Sequence, residues 1–135
     1  MDDYDLVFID TPPAYNFYTR AALVAADSCL IPFDCDDFSR KSIYIVLDMI
    51  REITNNNNPM LRVEGIVVNQ FQSRAKLPAN IVSELRDEGL PLLDTYLSSS
   101  IKIRESRRHA LPIVHLAPHH KLTQEFKHLY LELCE

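Results

Sequence analysis

Apolar and polar positions along this chain fall into blocks that predict strands and helices by turns. Leu6 to Ile9 form an unbroken apolar run ending on Asp10, with Thr11, Pro12 and Pro13 behind it. The run predicts a buried parallel strand over residues 5–9, stopped and stiffened by the prolines. The alanine-rich stretch 15–25 predicts a helix, and Ser28 to Phe33 a second strand closed by Pro32 and an acidic turn. From Phe38 to Thr54 the residues Ile43, Val46, Leu47 and Ile50 recur at helical spacing on one face. Val63 to Val68 predicts a third strand, and 77–88 a helix with Ile81, Val82 and Leu85 inward. Leu92 to Leu97 predicts a fourth strand, 101–109 a basic helical segment and Val114 to Leu116 a short strand. A final amphipathic helix spans 120–134, with Leu122, Phe126, Leu129, Tyr130 and Leu133 at core-packing spacing. Strands alternating with helices predict an α/β fold with a mainly parallel sheet flanked by helices. Because the chain opens almost directly on a strand, the pattern also predicts an element missing upstream.

Composition narrows this picture. The 135 residues suit a single domain spanning 1–135, and a hydrophobic content of 47% argues against disorder. A net charge of −5 gives no global attraction to nucleic acid, so any such contact needs a local basic patch. Cys29, Cys35 and Cys134 fit neither a zinc spacing nor an even disulfide framework, which points to reduced thiols in the cytoplasm. No stretch approaches the ~20 apolar residues of a membrane span, and no signal peptide is evident. Gly65 and Gly89 are the only glycines. A loop that cradles phosphates needs several at fixed spacing, so this chain is not expected to hold a triphosphate in the usual way.

The order of motifs resembles the C-terminal half of ParA-type partitioning ATPases, in the deviant Walker P-loop group that also contains MinD and the nitrogenase iron protein. Tyr4-Asp5-Leu6-Val7-Phe8-Ile9-Asp10-Thr11-Pro12-Pro13 resembles the family's Walker B and switch II segment. Ala21 to Asp27 is similar to its "NAL-x-AAD" helix, and Leu30-Ile31-Pro32 to its "IIP" strand. Asp36 and Phe38 stand where the family often has an acid and an aromatic. Gly65-Ile66-Val67-Val68-Asn69 resembles the strand before the base-binding loop, and Ser73-Arg74-Ala75-Lys76-Leu77 the Arg-bearing segment there. Ile101 to Ser106 is similar to "V-R-L-x-E-A", and Leu111-Pro112-Ile113 to the "x-P-I/V" that follows. The resemblance runs from Asp5 to Glu132. Departures are equally informative: the first strand, the P-loop and its signature lysine are absent. Ser98 replaces a common proline, Ala110 a common glycine, and Gln72 stands where many relatives have aspartate.

The resemblance implies a partial P-loop NTPase fold lacking the P-loop strand. It makes Asp10 the acid that holds magnesium through water, since a hard cation takes oxygen ligands and a phosphate partner. The plain alternative is a strand-end carboxylate capping its turn. Thr11 either faces the γ-phosphate region or forms an ST-turn before the prolines. Asn69 either reads an adenine edge with its amide or bonds its own loop. Ser98, Ser99 and Ser100 either line the same base pocket or form a turn. Arg74, Lys76, Lys102, Arg104, Arg107 and Arg108 concentrate positive charge in an acidic chain. Arg74 and Lys102 match the family's DNA-contacting positions most directly, against a solvated helix face partly neutralised by Glu105. His109, His115, His119 and His120 lack the acid of a zinc motif and read as helix start and surface. Glu125, Glu132 and Glu135 argue against a membrane anchor in the final helix.

By resemblance, the intact protein binds ATP with magnesium, dimerises around the nucleotide, and binds nonspecific DNA in the cytoplasm. A ParB-like partner stimulates hydrolysis, and the output is plasmid or chromosome segregation. For this chain alone, neither hydrolysis nor a bound cofactor is expected. The alternatives are a degenerate, non-enzymatic interaction module and a MinD-like regulator. Without a neighbour for the Asp10 strand, the chain is expected to self-associate or to close its sheet by moving that strand.

Overall fold

A computed structural model describes residues 4–12, 16–35, 37–72 and 75–134. The elements run α1 (Phe17–Ala25), β1 (Ser28–Asp34), α2 (Asp37–Asn56), β2 (Arg62–Asn69), α3 (Lys76–Asp87), α4 (Lys102–Arg108), α5 (Ile113–Leu116) and α6 (Lys121–Leu133). Asn16 caps α1 by accepting from the backbone N–H groups of Tyr18 and Thr19. The carbonyls left over at the other end of α1 are met by Asn58, whose amide donates to Leu23 O and Ala26 O. The asparagine run before Pro59 is therefore a loop that closes a neighbouring helix.

Strands β1 and β2 pair in parallel, Ile31 against Ile66 and Phe33 against Val68. On the far side of β2 lies a broken third strand. Ile66 N–H donates to Pro91 O, Leu93 N–H to Ile66 O, and Leu97 N–H to Val68 O. The fourth strand predicted over Leu92 to Leu97 thus survives as two isolated bridges, at Leu92 and Ser98. Gly65 permits the close approach, because a Cβ there would stand 2.6 Å from Leu93 Cγ.

The two sheet faces are covered separately, as alternating side chains require. Ile31, Phe33, Ile66 and Val68 pack with Ile43, Ile50 and Ile53 of α2 and Ile81, Val82 and Leu85 of α3. Val67 faces the other way, into a smaller core with Leu97, Ile113, Leu122 and Leu129. The helical spacings read over α2 and α3 point inward as expected.

Three expectations are corrected. Residues 5–9 form no strand: Leu6 is 67% exposed and Phe8 85%, and the segment pairs with nothing in the sheet. An apolar run becomes a strand only where an open edge receives it, and β1 receives none among the described residues. The sheet is accordingly not closed by moving the Asp10 segment. Val114 to Leu116 belong to a single helical turn, α5, whose Ile113 and Ala117 carbonyls accept from the buried Thr123 hydroxyl. Tyr130 of α6 is 63% exposed and leaves the inward face to Leu122 and Leu129.

Edge orientation follows from the ladder. Ile66 and Val68 turn their backbone groups toward the third strand, so Val67 turns its own toward β1. In a parallel pair the residue opposite, here Pro32, then faces away from β2. The missing N–H of Pro32 consequently lies on the edge of β1 that stays open among the described residues.

Candidate functional site

At the carboxyl end of the sheet, β1 and β2 end side by side on Asp34 and Asn69. The Asn69 amide donates to Asp34 Oδ1 at 3.0 Å, and the Gln70 amide to Asp34 Oδ2 at 2.7 Å. Gln70 takes a left-handed φ of 51°, which turns the chain sharply out of β2. Asp34 thereby fixes both amides at the mouth of the sheet. Sequence reasoning had passed over it, since nothing local marks a strand-end acid as the partner of a second strand's asparagine.

The serine run follows the second bridge. Ser98 N–H and Oγ both donate to the Glu125 carboxylate of α6, at 2.7 and 2.6 Å. Ser100 Oγ accepts from Lys102 N–H at 3.1 Å and lies 3.4 Å from His120 Nε2. Two of the three hydroxyls therefore have structural duties, while Ser99 is exposed. Glu132 makes a parallel clamp on the same helix, accepting from Asp94 N–H at 2.5 Å and Thr95 N–H at 2.9 Å. These bonds explain why the third strand is broken: α6 takes the backbone groups that a ladder would use.

Asn69, Ser98, Ser99 and Ser100 line one cavity of 970 Å3, and Asp10 joins them from the chain's unpaired opening segment. Pro32, Val67, Leu97 and Phe126 supply apolar lining. Arg104 and Arg107 of α4 contribute positive charge. Thr11 is exposed beside Asp10 and does not line the cavity. Lys102 stands apart, its ammonium 2.6 Å from Glu105, and that hydrogen bond holds the Glu105 carboxyl below its ordinary range. Arg74 lies outside the described residues. Among those described, no three His, Cys, Asp or Glu side chains gather to hold a metal ion, and no helix is long and apolar enough to cross a membrane.

Comparison with known proteins places this arrangement. The family described as AAA domain matches residues 1–63. The chromosome-partitioning ATPase Soj of Treponema pallidum is 28% identical over 113 residues, 83% of this chain and 45% of that protein. The chromosome partitioning protein ParA of Myxococcus xanthus is 37% identical over 84 residues, 62% of this chain and 30% of that protein. The sporulation initiation inhibitor protein Soj of Bacillus subtilis is 26% identical and aligns with 98% of this chain, 51% of its own length. The chain is similar to ParA-type proteins. It spans about half the length, or less, of these curated relatives. The chain also superimposes on cobyrinic acid a,c-diamide synthase of Mycobacterium smegmatis, solved with ADP and magnesium. That match has a TM-score of 0.68 at 25% identity, over 73% of this chain and 41% of the other. Apo McdA of Cyanthece gives 0.78 at 18% identity, over 92% and 51%, a likeness of fold. Both support a P-loop NTPase-like α/β architecture.

The residues present fit a magnesium-nucleotide complex in one specific sense. A single carboxylate, Asp10, cannot by itself ligate a bare ion, but it suits a hydrated magnesium whose remaining ligands are water and phosphate oxygens. The amide and hydroxyl groups opposite suit a neutral heteroaromatic ring, which needs donors and acceptors together with apolar walls.

Proposed function

We propose that this ParA-type chain is the nucleotide-base and DNA-facing part of a partitioning ATPase. The observation that carries the reading is the meeting of Asp10 with Asn69 and the Ser98–Ser100 run around one cavity at the carboxyl end of a parallel sheet. That is where open α/β sheets build ligand sites. In the intact protein, Asn69 contacts the base while Ser98, Ser99 and Ser100 shape the pocket. Asp10 orients magnesium-bound water, and Thr11 lies toward the phosphate side. When bound, magnesium neutralises phosphate charge. The protein dimerises around ATP, and Arg74 and Lys102 touch DNA without sequence preference. A ParB-like partner stimulates hydrolysis, and the cytoplasmic output is plasmid or chromosome partition. This chain alone is not expected to hydrolyse ATP.

The reading is tested by titrating adenosine and guanosine into the chain. Adenosine is expected to bind more tightly than guanosine, and Asn69→Ala to weaken it by about tenfold. Equal binding of both nucleosides, or no effect of Asn69→Ala, would remove the base-site assignment.

A further inference from the structure

Hydrogen-bond direction at the end of the sheet limits what the cavity can take. Asp34 and Asn69 stand opposite one another in the β1–β2 register. Alternation puts Asn69 on the face of Val67 and Asp34 on the face of Pro32. Pro32, Val67, Asn69 and Gln70 all line the cavity, and Asp34 stands behind them. A carboxylate offers acceptors alone, whereas a side-chain amide has an oxygen acceptor on one arm and a nitrogen donor on the other. Asp34 therefore decides which arm of each neighbouring amide it meets. Its two oxygens take Asn69 Nδ2 at 3.0 Å and Gln70 Nε2 at 2.7 Å. The left-handed turn at Gln70, with φ 51°, brings that second amide back to the end of β1. With both nitrogens held, the carbonyl oxygens Asn69 Oδ1 and Gln70 Oε1 are the arms that remain. Among the described residues neither oxygen accepts a hydrogen bond.

We propose that Asp34 is a specificity-determining positioning residue. It locks the Asn69 and Gln70 amides so that their carbonyl oxygens receive a ring amino group and disfavour a ring carbonyl. That the ring is a purine rests on the base-site reading given above. An exocyclic amino group carries two N–H donors, and Pro32 and Val67 supply an apolar floor for the ring behind it. A carbonyl at the same ring position meets the two oxygens as a third acceptor, and the water bonds lost on entry are not replaced. Asparagine in place of Asp34 has nearly the same shape but presents either arm. Asn69 is then free to turn its amide over and offer its nitrogen to a ligand. The ligand preference is thus set by a residue that does not itself line the cavity.

The test uses the 135-residue chain with adenosine, purine riboside and inosine, which carry an amino group, a hydrogen and a carbonyl at the same ring position. Nitrogen-15 chemical-shift titrations give the dissociation constants. The same spectra report the side-chain amide signals of Asn69 and Gln70 before any ligand is added. In the wild type, adenosine is expected to bind about tenfold more tightly than inosine, with purine riboside between them. Asp34→Asn is expected to bring adenosine and inosine within about twofold of each other and to shift both side-chain amide signals. A purely structural role for Asp34 would weaken all the nucleosides alike and leave their ratios standing. Asp34→Ser, whose short hydroxyl releases both amides, takes the place of Asp34→Asn if circular dichroism shows that variant unfolded. An unchanged adenosine-to-inosine ratio in a folded variant overturns the role of Asp34 and leaves the base site standing. Amide signals that do not move in that variant overturn the lock whichever nucleoside binds. Equal binding of adenosine and inosine to the wild type, or no binding of any nucleoside, overturns the base-site reading and this proposal with it.

Discussion

Single residues in this chain do their work through acids placed far along the sequence. Glu132 illustrates the energetics. Burial raises its pKa, but hydrogen bonds from the Thr95 side chain and from the Asp94 and Thr95 backbone outweigh that, and the carboxyl sits below its ordinary range. A group with a depressed folded pKa contributes stability above its unfolded value, near 4.5, and loses it as the pH falls through the folded value. Glu132→Gln is therefore expected to lower the free energy of denaturant unfolding at neutral pH by about 1–2 kcal/mol, the contribution of charge-assisted bonds to backbone N–H groups. The difference from wild type should shrink as unfolding is repeated toward pH 3. A constant difference across that range would mean that Glu132 acts through packing alone. At Ser98 the hydroxyl is committed to Glu125, so Ser98→Ala should reduce stability by about 1 kcal/mol in thermal melts. Asn69 and the serines were legible as candidates because they end strands or fill a turn. Their partners Asp34 and Glu125 were not, because only the packed sheet and α6 bring them near.

Periodicity located the elements that bury a face. The α2 and α3 spacings, and most of the α6 spacing, reappear as packed surfaces, since an amphipathic helix is defined by the core it covers. The same logic fails for Leu6 to Ile9, whose composition says buried strand although the segment is exposed. Strand formation depends on a neighbouring edge, and four apolar residues carry no record of their neighbour. It fails again at Val114, where β-branched and apolar residues suggest a strand. Pro112 starts a helical turn there, and Thr123 caps it. Gly65 tests the third strand. A methyl group at 2.6 Å from Leu93 forces β2 and the Pro91–Leu97 segment apart. Gly65→Ala should then cost about 1–3 kcal/mol in urea unfolding. A neutral result would show that Leu93 repacks freely and that the approach is not tight.

At the scale of the whole molecule, an acidic chain places the charge proposed to face DNA on few residues. If Lys102 makes one phosphate contact, Lys102→Ala should make the slope of log K against log salt shallower by about 0.9. Fluorescence anisotropy with two unrelated duplexes checks this, and the loss should be equal on both. An unchanged slope would leave Lys102 to its partner Glu105. The α/β class was legible from alternating elements, but the openness of the sheet among the described residues was not, because topology is a relation among strands. That openness gives Pro32 a second meaning. A bare strand edge is a template on which other chains polymerise. Midway along β1 an incoming strand finds a ring in place of a donor, so growth beyond a first contact is interrupted. Pro32→Val would repair the template, and turbidity on gentle heating should then rise sooner than in the wild type, with exposed Leu6 to Ile9 supplying strands for the growing aggregate.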